Sequence, residues 1–479
     1  MWTRGLNSPM ANDTGRHDPI AQSVTHLHQS LTKNLDTVVV IRFPGLGPPS
    51  LTSMHWSSIS AIFVYLLADV IAFSIILPWF PTIFAADSQD VFHTSLRRVS
   101  ETINSLLSID LKWNSAIFGA VTSTAAVAQF FSSPFAGALS DVYGRKRILI
   151  SLQALSILAY LLCAQSAFSY PLFAVSRLLC GITRANVAVL SALIGDQCGP
   201  DMRTRAMTLV GAAYSVGYTL GPPTSVAIMG RLMEKPVASK LLQYLGLSAT
   251  ILEAFGLLVI VACVSEPEVK HRNRPVQLDT TFRLLDPRNL FSFQVINRLW
   301  QWSIIWFVFL LIFSGLESTV LFLTRSRFGF TGRDQGHIFL FLGIVMLIVQ
   351  GGLVHRFRHG NEAKVSSLAI FVLALAALII GTAQLWWVFY IGLAFWGFSS
   401  ASFMPTFNGM VSLQTGPERQ GQVLGVFRSL NALARAVGPF LFSLVFGVAG
   451  PTYSYVIAAA SLICIGVHYV RTNTLLKQN

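Results

Sequence analysis

The 479 residues are 53% hydrophobic and only 11% charged, with a mean hydropathy of +0.59. Soluble domains carry about a quarter charged residues, so this balance excludes an ordinary soluble fold and points to an integral membrane protein. A net charge of +13 invites a nucleic-acid reading. The cations, however, are spread among loops between apolar runs instead of forming one basic patch with interleaved aromatics, and membrane topology accounts for them better.

Taken in order, residues 1–56 are polar, contain Gly, Asn, Pro and His, and carry no secretory signal. His26 and His28 there read as solvated tail, not as a metal pair. Apolar runs of about 20 residues suffice to cross a bilayer. They predict twelve spans, near 57–85, 114–139, 148–168, 170–194, 205–229, 244–264, 301–324, 335–356, 366–384, 386–411, 420–448 and 452–470. Between spans 1 and 2, Leu96, Val99, Ile103 and Leu106 recur at helical spacing and predict a short amphipathic helix. Residues 265–300 are polar, basic and proline-containing, and read as a linker between a first six-helix half, 57–264, and a second, 301–470; its end, Phe282 to Trp300, suits the inner membrane surface. Residues 471–479 form a short tail.

Orientation follows from the loop cations. Arg145, Lys146, Arg147, Arg203, Arg205, the linker arginines, Arg356, Arg358 and Lys364 outnumber those on the other side, such as Arg97, Arg98, Arg231, Arg325 and Arg333. Both termini are therefore expected in the cytoplasm. Cys163, Cys180, Cys198, Cys263 and Cys464 lie in or beside apolar segments with neither metal nor disulfide spacing, and read as packing residues.

Charges inside spans are expensive and mark function by default. Here they are Asp69 in span 1, Arg177 and Arg184 in span 4, Glu253 in span 6, Glu317 in span 7, and Arg428 and Arg435 in span 11. Arg177, Gly181 and Arg184 are spaced for one helix face, as are Arg428 and Arg435. Two readings stay open for each residue. The arginines either tie helices together through Asp69, Glu253 and Glu317, or hold an anion beside carboxylates that load and release a proton. Three acids against four arginines leave the set mildly positive, which favours an anionic solute. Span 5 adds Gly217, Gly221 and Pro222, which permit close packing and a bend.

One stretch between spans 2 and 3 organises the rest: Gly137-Ala-Leu-Ser-Asp141-Val-Tyr-Gly144-Arg145-Lys146-Arg147. Small residues, a carboxylate, a glycine turn and three cations make a charged latch at a helix end. This pattern resembles the loop signature of the major facilitator superfamily. Arg177-x-x-x-Gly181 and Gly217-x-x-x-Gly221-Pro222 resemble that superfamily's span 4 and span 5 motifs, although Thr224 and Ser225 replace glycines usual after Gly-Pro.

Within the superfamily the chain is similar to the tetracycline-transporter-like branch. Its similarity to an animal subfamily there is carried by Phe313-Ser-Gly-Leu-Glu317, Arg327-Phe, Gln350-Gly351 and Arg428-Ser-Leu-x-Ala-Leu-Ala-Arg435-Ala-x-Gly438-Pro439. The resemblance implies two related six-helix halves around a central cavity, a proton-transfer role for Arg177, a gating cluster of Asp141, Arg145 and Asp196, and antiport of organic anions. Where the subfamily has a lysine in span 4, this chain has Arg184.

The expected protein is thus an all-α, twelve-span secondary transporter that exchanges an organic anion or drug-like solute against protons or a counter-anion. It is expected to be a monomer in a lipid bilayer, without cofactor, metal or nucleic-acid partner. The rival reading is a transporter-like receptor or scaffold. An enzyme finds no support in a nucleophile–base pair, and a Walker-type phosphate loop is missing from the sequence.

Overall fold

The computed structural model describes residues 56–84, 91–107, 114–197, 200–232, 237–266, 300–350, 362–414 and 420–478. The N-terminal tail with His26 and His28, linker residues 267–299, and the loop with Arg356 and Arg358 lie outside the described residues. All regular structure among those described is helical.

The first helix, α1 (Trp56–Ser74), ends where Pro78 and Pro81 force a 3-10 turn and then a single helical turn, Phe80–Ile83. The amphipathic helix is present as α2 (Val91–Leu107), with Phe92 and Leu96 buried and Arg97 and Arg98 outward. There follow α3 (Asn114–Tyr143), α4 (Arg145–Gln165), α5 (Tyr170–Thr183), α6 (Asn186–Gln197), α7 (Pro200–Leu232) and α8 (Ala238–Cys263). After the linker come α9 (Trp300–Phe328), α10 (Gly332–Ile348), α11 (Glu362–Thr382), α12 (Trp386–Gln414) and α13 (Gln420–Gln478).

Eight stretches among the described residues are long and apolar enough to cross a bilayer. α3 and α7 are not among them, because Ala, Ser, Thr and Gly replace large apolar residues along much of their length. Such residues let helices approach closely inside a membrane. α13 is a special case. Its 59 residues would extend about 88 Å at the helical rise, far more than the ~30 Å a hydrocarbon core needs. Gly450 (φ 81°) breaks it just before Pro451, between the two predicted spans. Its last turns run on to Gln478, past the expected end at 470, since nothing after Tyr469 stops a helix.

Among the described residues, most buried apolar side chains gather in two large clusters. One draws on α1 to α5, α7 and α8, around Phe84, Phe92 and Phe173; the other draws on α9 to α13, around Trp302, Phe309, Phe403 and Phe407. A small third group sets Phe130 of α3 against Ala432 and Leu433 of α13. Large apolar side chains such as Leu158, Ile251, Leu258, Leu368 and Ile457 face outward. In water that surface would be a liability; for a chain surrounded by acyl chains it is the appropriate exterior.

Candidate functional site

The latch is a corner between two helices. α3 runs through Asp141 to Tyr143, Gly144 turns at φ 101°, and α4 begins at Arg145. A residue with a Cβ would be strained at that φ. Arg145 pairs with Asp141 one turn back, donates from Nε to Asp196 Oδ2 at 2.9 Å, and donates from Nη1 to Ser140 Oγ at 2.6 Å. Asp196, in the last turn of α6, is thus brought to the corner as the resemblance implied.

Two partners were not visible in the sequence. The Glu266 carboxylate accepts from the main-chain nitrogens of Arg145 (2.7 Å) and Lys146 (2.9 Å), capping the unsatisfied first turn of α4. Lys146 Nζ in turn donates to the Val261 carbonyl near the end of α8, at 2.8 Å. Arg147 is exposed, and a Cβ at Gly137 would meet nothing within 4 Å among the described residues.

The intramembrane charges sort into three environments. Asp69 on α1 is 3% exposed and accepts from Arg184 Nη1 at 2.8 Å. Arg184 occupies the joint between α5 and α6. Its N–H is shared between the carbonyls of Cys180 and Gly181, and the next N–H reaches back only three residues, to Ile182. The helix therefore tightens into a 3-10 turn there, and the expected continuous face from Arg177 to Arg184 does not run through one helix. The Arg184 guanidinium lies 4.3 Å from the Phe73 ring centroid.

Arg177 and Glu253 are buried and make no direct ion pair among the described residues, although Arg184 lies within electrostatic reach of Glu253. Arg177 rests near Tyr160 (5.5 Å) and Phe173 (5.4 Å), and its Nε and Nη2 have no hydrogen-bond partner. Glu253 is wholly buried. Gln153 Nε2 donates to Glu253 Oε2 and, at 2.9 Å, to the Glu253 carbonyl, while Oε1 is unpartnered. Asn186, just past the Arg184 joint, donates to the Tyr65 hydroxyl at 2.7 Å, one turn from Asp69.

The third environment belongs to the second cluster. Arg435 Nη2 contacts Glu317 Oε2 at 3.1 Å, with the two side chains 37% and 32% exposed. It is a looser, wetter pair than Asp69–Arg184. Arg428, two turns earlier on α13, is exposed and does not share that contact.

α7 lies at the seam between the clusters. A Cβ at Gly217 would meet Val70 of α1, and one at Gly221 would meet Ser74, whose hydroxyl donates to the Gly217 carbonyl at 3.1 Å. Pro222 follows in the same stretch, and the Gly336 and Gly343 of α10 face Val226 and Thr219 of α7. Gly217 and Gly221 thus permit the close approach expected of them. Sequence reasoning passed over Gln153 and Asn186, since uncharged polar residues give no cost signal.

A bundle of apolar-clad helices, a glycine-turned basic latch and ion pairs within its interior define a multi-pass membrane transporter. Residues 61–439 match the model of the Major Facilitator Superfamily, and the chain belongs to that family. It is 30% identical over 424 residues to "Major facilitator superfamily domain-containing protein 10" of Bos taurus, covering 84% of this chain and 90% of the relative. It is 26% identical over 361 residues to "Tetracycline resistance protein, class C" of Escherichia coli, covering 73% and 85%. The crystal structure of the human organic anion transporter MFSD10 (TETRAN) matches with a TM-score of 0.69 at 28% identity, covering 88% of this chain and 100% of that one. The crystal structure of D-xylose-proton symporter, at 14% identity and a TM-score of 0.65, covering 87% and 97%, shares the fold.

Proposed function

We propose that the chain is a secondary antiporter that exchanges an organic anion against protons or a counter-anion by alternating access. Its architecture on this reading is twelve spans in two pseudo-symmetric six-helix halves, 57–264 and 301–470, joined by a cytoplasmic linker, with both termini in the cytoplasm. One observation carries it: among the described residues, the helices around each cluster supply an intramembrane arginine–carboxylate pair, Asp69–Arg184 and Glu317–Arg435. Costly intramembrane ions placed on both sides of a seam suit a solute that breaks and remakes charge pairs as the halves move.

Arg177 tips the interior towards anions, because it is buried and faces aromatic rings instead of a carboxylate. The organic anion transporter among the relatives agrees with that sign. Arg184 and Arg435 hold the anion, and Asp69, Glu253 and Glu317 are the groups that exchange protons. Asp141, Arg145 and Asp196 gate the latch end, with Gly137, Gly144, Lys146 and Arg147 shaping it. Gly217, Gly221 and Pro222 let α7 bend between the halves, and Arg428 guides anions towards Arg435.

The test is counterflow in proteoliposomes, with purified protein, labelled organic anions and an imposed pH gradient. Uptake should follow the gradient and lose that dependence when Asp69 or Glu317 is neutralised. Exchange indifferent to the gradient would leave anion-for-anion exchange, and no exchange with any anion would end the transport reading.

A further inference from the structure

A cleft of about 510 Å³ lies between α10 and α12, lined by Phe330, Asp334, Phe341, Trp386 and Tyr390. That volume falls within the range of small-ligand pockets, about 300–1,000 Å³. Local rules place each wall. Gly329 (φ 66°) ends α9, and the Phe330 N–H reaches back to the Thr324 carbonyl at 3.4 Å, which fixes Phe330 at the turn. Asp334 and Phe341 are seven residues apart on one face of α10, and Trp386 and Tyr390 are four apart on one face of α12. Gly336 and Gly343, which meet α7, lie about 200° round α10 from them. The cleft is therefore on the side of α10 turned away from the seam.

Its chemistry suits a cation. The Tyr390 ring stands at 90° to Phe341, with centroids 5.1 Å apart, and at 82° to Trp386, at 6.3 Å. Rings at right angles wall a cleft instead of filling it as a stack, and their faces attract cations. Asp334 is the one charged residue of the lining. Its Oδ2 accepts from the Thr331 N–H (2.9 Å) and hydroxyl (2.7 Å) in a capping box. Among the described residues, Oδ1 accepts no hydrogen bond and no cation pairs with Asp334. Capping the helix uses one carboxylate oxygen; the other remains for a ligand.

The surroundings select which cation. Leu385, Trp386 and Trp387 are exposed at the start of the apolar α12, and tryptophans at the end of a span mark the headgroup layer. From there Ile344 and Ile348, both exposed, continue the Phe341 face of α10 as an apolar track. A primary ammonium would bring three donors to a mainly apolar cleft with one carboxylate, whereas a trimethylammonium donates no hydrogen bond and suits aromatic faces. We infer that this cleft binds the choline headgroup of phosphatidylcholine. The quaternary nitrogen sits between Asp334 and the rings of Phe341, Trp386 and Tyr390, and an acyl chain follows Ile344 and Ile348.

The experiment measures binding of labelled dihexanoylphosphatidylcholine to the purified full chain in maltoside micelles. Unlabelled competitors are the same lipid, dihexanoylphosphatidylethanolamine and free choline. Phosphatidylcholine should displace the probe at a concentration about tenfold below that of either competitor, the difference a desolvated cation–aromatic site supports. Asp334→Asn keeps an acceptor for the cap and removes the charge; it should weaken binding about tenfold, as should Tyr390→Leu. Should Tyr390→Leu fail to fold, Trp386→Leu changes an exposed position and takes its place. Equal displacement by the two lipids, or binding unchanged in Asp334→Asn and Trp386→Leu, overturns the inference. Free choline that competes as well as the lipid overturns the assignment to a membrane lipid.

Discussion

Asp69 and Arg184 share a buried contact, but they do not depend on it equally. A carboxyl left alone can take up a proton and become neutral, whereas a guanidinium stays charged. Removing the acid therefore strands a charge, at a cost of about 3–5 kcal/mol for a buried pair. Removing the arginine leaves no obligate cation behind and should cost less. Thermal unfolding in detergent should rank Asp69→Asn below Arg184→Gln, with the double variant recovering most of the loss, and none of the three should exchange anions. Equal melting for both single variants would mean that the pair is not isolated from water. Glu317→Gln is the contrasting case. That pair is about one-third exposed, so its loss should cost under about 1 kcal/mol, and a fall in exchange there reports function directly.

Arg177 sharpens the point at the same scale. It is 5% exposed with two unpartnered nitrogens, an arrangement that packing alone does not reward. Arg177→Met keeps much of the volume and removes the buried charge. It should melt at or above the wild-type temperature while exchange falls at least tenfold. A variant that melts lower and transports normally would make Arg177 a structural residue.

For the helices, what matters is how closely backbones approach. A Cβ at Gly181 would collide with the Ala125 carbonyl of α3, which cannot move aside as a flexible side chain can. Gly181→Ala should therefore push α5 from α3 and lower the melting temperature, whereas Gly137→Ala, which meets nothing, should not. At Gly144 the cost is conformational. Alanine at φ 101° should lose about 1–3 kcal/mol. If all three alanine variants melted alike, close approach would not be what these glycines provide.

The same comparison explains what could be read in advance. Apolar runs give spans because bilayer thickness fixes their length, and Gly144 and Gly450 give turns because their conformations disfavour other residues. The joint at Arg184 has no such marker: neither Gly nor Pro occupies it, and the tightening appears only in the main-chain bonding. The partners of the charges were equally hidden. Asp69 and Arg184 are 115 residues apart, Glu253 meets the uncharged Gln153 across 100, and Glu266 caps α4 from beyond α8. Helical spacing tells which side chains share a face, but not which face another helix will cover.

Across the whole molecule, the contacts at the end away from the latch join the two clusters. Arg325 Nη1 donates to Thr82 Oγ1 at 2.9 Å, Phe118 meets Phe322 with centroids 5.1 Å apart, and the Trp79 ring fills the space over Gly332. Trp79 is fixed from behind as well, since its indole N–H donates to Ser225 of α7 at 3.1 Å. At the latch, by contrast, the partners of Arg145 and Lys146 among the described residues come from α3, α6 and α8 or Glu266 just after it, on the side of the first cluster. If access alternates, this end must open and the latch end must close over Gly137. Two wedges separate those movements. Gly332→Leu cannot coexist with Trp79 in its present place, so it should open the far end and speed labelling of a Phe322→Cys reporter about tenfold. Gly137→Leu occupies empty space here, so it should leave melting unchanged and still stop exchange by obstructing closure. Normal exchange in Gly137→Leu would show that the latch end closes without bringing the second cluster onto that residue. Unchanged labelling with Gly332→Leu would show that Trp79 yields locally and that the far end does not open as a unit.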